Sequence, residues 1–212
     1  MHHIYAGLIV PSSIAVPIYI VQAKYKGLPE EIKILFYYLL AMAVIYLVST
    51  IMALNRIHNL YIIHADTVIE SIFLLRFFYF AFRQRVVRRW IRVLIVIFPV
   101  FCCVNFIFFQ SLYNYNTYSR PIEAIIVITL CLFYWWYTGD EEVAGTWMSI
   151  PLNWVISGLL LYFSSAFLLF VFSNLLISRY DRGMNEFLWN VHATLILVMY
   201  SLFAIGFSKC KG

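Results

Sequence analysis

The sequence predicts an all-α polytopic membrane protein, a bundle of seven transmembrane helices, and three observations carry that expectation. Hydrophobic residues make up 64% of the 212 and charged residues only 12%, against about 25% charged in an ordinary soluble domain. The apolar residues come in blocks of about 20, the length a helix needs to cross a hydrocarbon core about 30 Å thick. Within the blocks the pattern is uniformly apolar rather than alternating. Helices that satisfy their own backbone are therefore expected, not a barrel.

In chain order the expected spans are 4–22, 34–54, 60–82, 90–109, 122–137, 152–177 and 187–207, all in one domain of residues 1–212. The first carries Pro11 and Pro17 but no basic leader and no small-residue cleavage site, so it reads as a retained helix rather than a signal peptide. The fifth is short for a crossing and must recruit flanking residues such as Tyr118 and Thr138. The sixth is long enough to tilt, and it concentrates Ser157, Gly158, Ser164, Ser165 and Ala166, small side chains that let helices approach. Between the blocks lie expected breaks such as Lys26-Gly27-Leu28-Pro29, Ser119-Arg120-Pro121 and Asp181-Arg182-Gly183.

Lysine and arginine set the orientation, because basic residues are retained on the cytoplasmic side. One set of alternate loops holds Lys24, Lys26, Lys33, Arg83, Arg85, Arg88, Arg89, Arg92, Lys209 and Lys211; the other holds only Arg56, Arg120, Arg179 and Arg182. The first set is expected in the cytoplasm. That puts the N-terminus outside and the C-terminus inside. The formal charge of +5 is then accounted for at helix ends, leaving no soluble catalytic domain and no call for nucleic acid. Cys102, Cys103 and Cys131 fall inside apolar blocks and Cys210 in the tail, so no disulfide framework is expected. Lipidation of Cys210 stays open on sequence grounds.

The third span carries His64, Asp66, Thr67, Glu70, Ser71 and Arg76, an expensive set in hydrocarbon that should face the bundle interior or water. At 100° per residue Asp66 and Glu70 share a stripe, and His64 lies about 120° from Glu70. Counted along the helices, His64, Asp66, Glu70, Glu123, Asn174 and His192 all fall in the outer half. Imidazoles with carboxylates are the donors that hold zinc or another divalent metal, which nominates His64, Asp66, Glu70 and His192. The same groups suit a polar ligand or a proton, and they suit mutual satisfaction that fixes helix register. No His-x-x-x-His or His-Glu-x-x-His motif is present. Arg76 is expected to snorkel to the inner surface. The run Arg83, Arg85, Arg88 and Arg89 fixes topology and presents a face to anionic lipid or an acidic partner, with Asp140, Glu141 and Glu142 on the next inner loop.

Four stretches carry a resemblance: Asn59 to His64 continuing to Glu70, Ser119 to Glu123, Pro151 to Gly158 with Leu161 to Ser164, and Leu188 to His192 with Phe203 to Gly206. They resemble an uncharacterised family of seven-helix membrane proteins common in Bacteroidota. The resemblance implies that His64, Glu70, Glu123, Trp154, Ser157 and His192 occupy motif positions, while Asp66 lies outside the pattern. It implies a bacterial inner membrane as the setting, and no activity. Seven-helix zinc hydrolases of the ceramidase and progestin-receptor type are similar in architecture only, because their histidine pair is absent. A retinal-binding rhodopsin is disfavoured by the lack of lysine in the seventh helix.

The leading expectation is a membrane module whose outer-half cavity, built from His64, Glu70, Glu123, Ser157, Asn174 and His192, binds a ligand or ion and signals to a cytoplasmic partner. Two others stay open. One is a membrane-embedded metal-dependent hydrolase; the other is a non-enzymatic accessory or defence effector that forms a homo-oligomer or pore.

Overall fold

Proline and polar caps decide where the helices begin and break. The computed structural model describes residues 5–139, 147–179 and 182–210, with side chains except at 174–179 and 182. Every regular element among the described residues is helical. The first span, Tyr5–Gly27, starts with a π-helical turn, Tyr5–Ile9, and settles into α1, Ala15–Lys24. Pro11 and Pro17 lack the N–H that a continuous helix would use, and at the break between them Ser13 Oγ donates to the Val10 carbonyl at 2.6 Å.

Pro29, in extended backbone, ends that segment and opens α2, Glu30–Leu54, with Glu30 and Glu31 in its first turn, where carboxylates complement the helix dipole. Asn59 then ties the α2–α3 turn by donating to Ser49 Oγ at 2.9 Å. The helices that follow are α3, Leu60–Ala81; α4, Arg85–Phe108; α5, Ser119–Thr138; α6, Pro151–Arg179; and α7, Arg182–Ser208.

The start of α5 decides the site. It begins a turn before the expected residue 122 because Asn116, fully buried, accepts from the backbone N–H of Ser119 at 3.1 Å and of Arg120 at 3.3 Å. Those two N–H groups have no partner inside the helix. Pro121, third in the helix, has no N–H to leave unpaired. Arg120 thereby moves from a loop into the bundle.

Neighbour contacts close a ring in the order α1, α2, α3, α5, α6, α7 and back to α1, with α4 packed outside it, chiefly on α3. The tightest seam joins α6 and α7. A Cβ on Gly206 would lie 2.7 Å from the Pro151 carbonyl oxygen, and one on Gly158 would lie 3.2 Å from that of Met199. Of the small residues of α6 expected to let helices approach, Ala166 is buried but Ser164 is exposed.

Among the described residues six segments are long and apolar enough to cross a membrane: Tyr5–Gly27, Glu30–Leu54, Arg85–Phe108, Ser119–Thr138, Pro151–Ser173 and Gly183–Ser208. The chain is a multi-pass helical membrane protein set in a lipid bilayer. Exposed apolar side chains such as Trp90, Val96, Val100 and Ile107 cover the outside of α4, as lipid contact requires. The remaining helix, α3, has the length but carries Asp66, Glu70 and Arg76. Its polar residues His64, Thr67, Glu70 and Ser71 are all buried.

Candidate ligand-binding site

At the centre is a guanidinium held by carboxylates from two helices. Arg120 is 3% exposed. Its Nη1 donates to Glu70 Oε2 on α3 and, at 2.8 Å, to Glu123 Oε2 one turn along α5. Its Nη2 donates to the Tyr162 hydroxyl on α6 at 2.7 Å. Tyr38 on α2 completes Glu70 by donating to Oε1 at 2.6 Å. The rings of Phe163 and Phe170 lie 5.7 and 5.6 Å from the guanidinium carbon, a cation–π distance. Four helices are joined by this set. Among the described residues Glu123 Oε1 and Arg120 Nε are buried without a partner.

Asp66, one turn before Glu70, is only loosely attached. Its Oδ2 is 4.0 Å from Arg120, and its side chain keeps 21% exposure. With every group ionised, three carboxylates against one guanidinium leave two negative charges in excess. A buried charge without compensation is costly, so such a surplus is relieved either by a proton on one of the carboxyls or by a further cation near Asp66.

That surplus faces a cavity of about 290 Å³ inside the ring. Its walls are helical stripes: Tyr38, Met42, Ile45 and Tyr46 along α2, and His192, Ala193, Ile196 and Tyr200 along α7, spacings that fall on one face. Ala6, Ser49, Ile62 and Trp189 place it at one end of the bundle, where the first span, α3 and α7 begin and α2 ends. His192 joins by packing on Tyr162 with ring centroids 5.3 Å apart, its Nδ1 3.1 Å from Ser165 Oγ. Among the described residues the hydroxyls of Tyr46 and Tyr200 have no hydrogen-bond partner, although Tyr200 is only 3% exposed.

The sequence-derived candidates divide. Glu70 and Glu123 meet on Arg120, and Asp66 and His192 line the cavity with Glu70. His64 does not join them. Its Nε2 lies 3.1 Å from the Asn114 carbonyl oxygen and its ring packs 4.7 Å from Phe106 of α4. The expected convergence of the two histidines is therefore corrected: the 120° between His64 and Glu70 turns the imidazole toward α4, outside the ring. Ser157 lies outside the cavity as well, bonded to the Asn153 carbonyl at 2.8 Å. The Asn174 side chain, like Asp140, Glu141 and Glu142, lies outside the described residues.

Among the described residues no three His, Cys, Asp or Glu side chains are grouped to hold a metal. Between Glu70 and Glu123 the position of a cation is taken by the Arg120 guanidinium. At the opposite end of the bundle from the cavity, Arg83, Arg85, Arg89 and Arg92 are exposed and make no ion pair with any described residue, and Arg88 lies 4.2 Å over the Tyr79 ring.

Arg120 and the tyrosines are the residues that sequence reasoning missed. The signal for Arg120 was its spacing of three from Glu123, which puts both on one face once the helix starts early. With 16 tyrosines in the chain, nothing marked Tyr38, Tyr162 or Tyr200. Comparison with protein families, curated proteins and solved structures gives no match, so the chemistry of the site carries the functional argument.

Proposed function

We propose that the chain crosses a bacterial inner membrane seven times, N-terminus outside, as a binding module that takes a small ligand into the cavity between α2, α3 and α7 and signals its occupancy inward. The cavity itself, bordered by charge and about the size of a small organic ligand's site, is the observation that carries this. The burial of its polar groups supports α3 as the seventh span. The uneven distribution of basic residues supports the orientation, which opens the cavity end outward. Arg120 couples occupancy to the helices, because any shift of Glu70 is transmitted to α5 and α6 through the same guanidinium. The exposed Arg83, Arg85 and Arg89 at the far end suit an acidic cytoplasmic partner or anionic lipid.

The test fills the cavity. Ala193 lines it and takes no part in the Arg120 set, so Ala193→Phe should fold and lose binding. Compounds that raise the unfolding midpoint of wild type in a thermal-shift screen should leave Ala193→Phe unmoved. Equal stabilisation of both proteins would place binding elsewhere and end the proposal.

A further inference from the structure

We infer that the cavity receives a small organic cation, an amine or quaternary ammonium, seated between the Asp66 carboxylate and the phenols of Tyr46 and Tyr200. The inference rests on the cavity being a binding site and adds the class of its ligand. An anion is disfavoured by the state of Arg120. Three of its five N–H bonds already donate to Glu70, Glu123 and Tyr162, its Nε is fully buried, and an anion brought to it would sit beside the Asp66, Glu70 and Glu123 carboxylates.

Asp66 is the acid this network leaves over. It lines the cavity, has only the 4.0 Å approach to Arg120, and accepts no hydrogen bond among the described residues. Tyr200 adds a second, independent sign: a phenol 3% exposed, on the cavity wall, whose hydroxyl has no partner among the described residues. Such an oxygen accepts an N–H or lies against a methylated ammonium. Aromatic faces complete the seat, with Tyr46, Tyr162, Phe170 and Trp189 all in the wall, and aromatic cages of this kind recognise ammonium groups. A bare divalent metal would need three converging hard donors, and the wall is mostly ring and aliphatic carbon.

The experiment uses three probes of similar shape on the full chain in lipid nanodiscs: phenyltrimethylammonium, its neutral isostere tert-butylbenzene, and benzoate. Binding is read by fluorescence of Trp189, which lines the cavity, with Trp189→Phe as the blank. The cation should bind, and the other two should bind at least tenfold more weakly. Asp66→Asn should lose the cation at least tenfold while keeping its unfolding midpoint, and Tyr200→Phe should weaken it with less effect on folding still. Equal binding of benzoate or tert-butylbenzene, or an Asp66→Asn and a Tyr200→Phe that both hold the cation as wild type does, would overturn the ligand class while leaving the cavity a binding site. Stoichiometric zinc lost in Asp66→Asn would also overturn it, in favour of a metal. Failure of all three probes would overturn the binding-site proposal together with this one.

Discussion

Replacing Arg120 by methionine is the sharpest perturbation of the bundle, because one side chain neutralises carboxylates on two helices. In Arg120→Met the unbranched stem is kept and the guanidinium is lost with its charge. Glu70 and Glu123, 2% and 1% exposed, are then left buried without their cation, and Tyr162 loses its donor. Breaking a buried pair by removing one partner costs about 3–5 kcal/mol, a large part of the roughly 5–15 kcal/mol that holds a domain folded. At about 2–4 °C per kcal/mol for a chain of this size, the midpoint should fall by roughly 6–20 °C. The assay is thermal unfolding in detergent followed by size-exclusion fluorescence, with Arg85→Met, an exposed arginine, as control. A companion with Arg120→Met, Glu70→Gln and Glu123→Gln together should recover much of the loss, since the only charge it leaves in the set is the partly exposed Asp66. An Arg120→Met that unfolds within a degree or two of Arg85→Met would refute the assignment of Arg120 as the tie between helices.

Three further outcomes follow from other parts of the molecule. A cysteine at Tyr113, 73% exposed in the loop before α5, should react with an impermeant thiol reagent from outside the cell and one at Arg85 should not; the reverse would invert the topology. Asn116 is unsuitable for that label because it is buried and caps α5. Burial pushes the Cys210 thiol above the usual cysteine range, opposed in part by Lys24, so its thiolate is scarce at pH 7.5; alkylation should be slower than for a free cysteine and accelerate as pH rises, and rapid labelling at neutral pH would contradict its burial. Gly206→Ala places a methyl 2.7 Å from the Pro151 carbonyl oxygen, which should cost about 1–3 kcal/mol by overpacking, and an unchanged midpoint would mean that α6 and α7 are less closely seated.

How far the sequence could be read follows from what each signal depends on. Helix existence depends on local hydropathy, so the all-helical class and the approximate spans were legible, and so was the interior stripe of Asp66 and Glu70. Arg120 was illegible because its place depends on where α5 begins. The one-turn shift is made by Asn116, a side chain outside the helix, and a count of loop arginines assigned Arg120 to the surface. His64 misled for a different reason. The angle between it and Glu70 was right, but angle alone does not say which neighbour lies on each side, and α4 sits outside the ring where a sequential bundle would have put it inside. The tyrosines gave no signal at all, since an aromatic inside a membrane helix is ordinary until a carboxylate is placed beside it.

The remaining question is whether the cluster only fixes helix register, and the hydrogen bonds separate the two roles. A purely structural tie needs Tyr38, Glu70, Arg120, Glu123 and Tyr162, which bond one another across four helices. It has no use for Asp66, whose carboxylate stands at the edge of the set, or for the unpartnered hydroxyls of Tyr46 and Tyr200. Stability and binding should therefore divide between residues only a few ångströms apart. Asp66→Asn keeps the side chain's shape, removes one surplus negative charge, and should change stability by less than about 1 kcal/mol, as for a partly exposed ion pair. Arg120→Met should change it several-fold more. If Asp66→Asn proves as destabilising as Arg120→Met, the carboxylate belongs to the structural tie, and the cavity loses the one charged group that the tie leaves free.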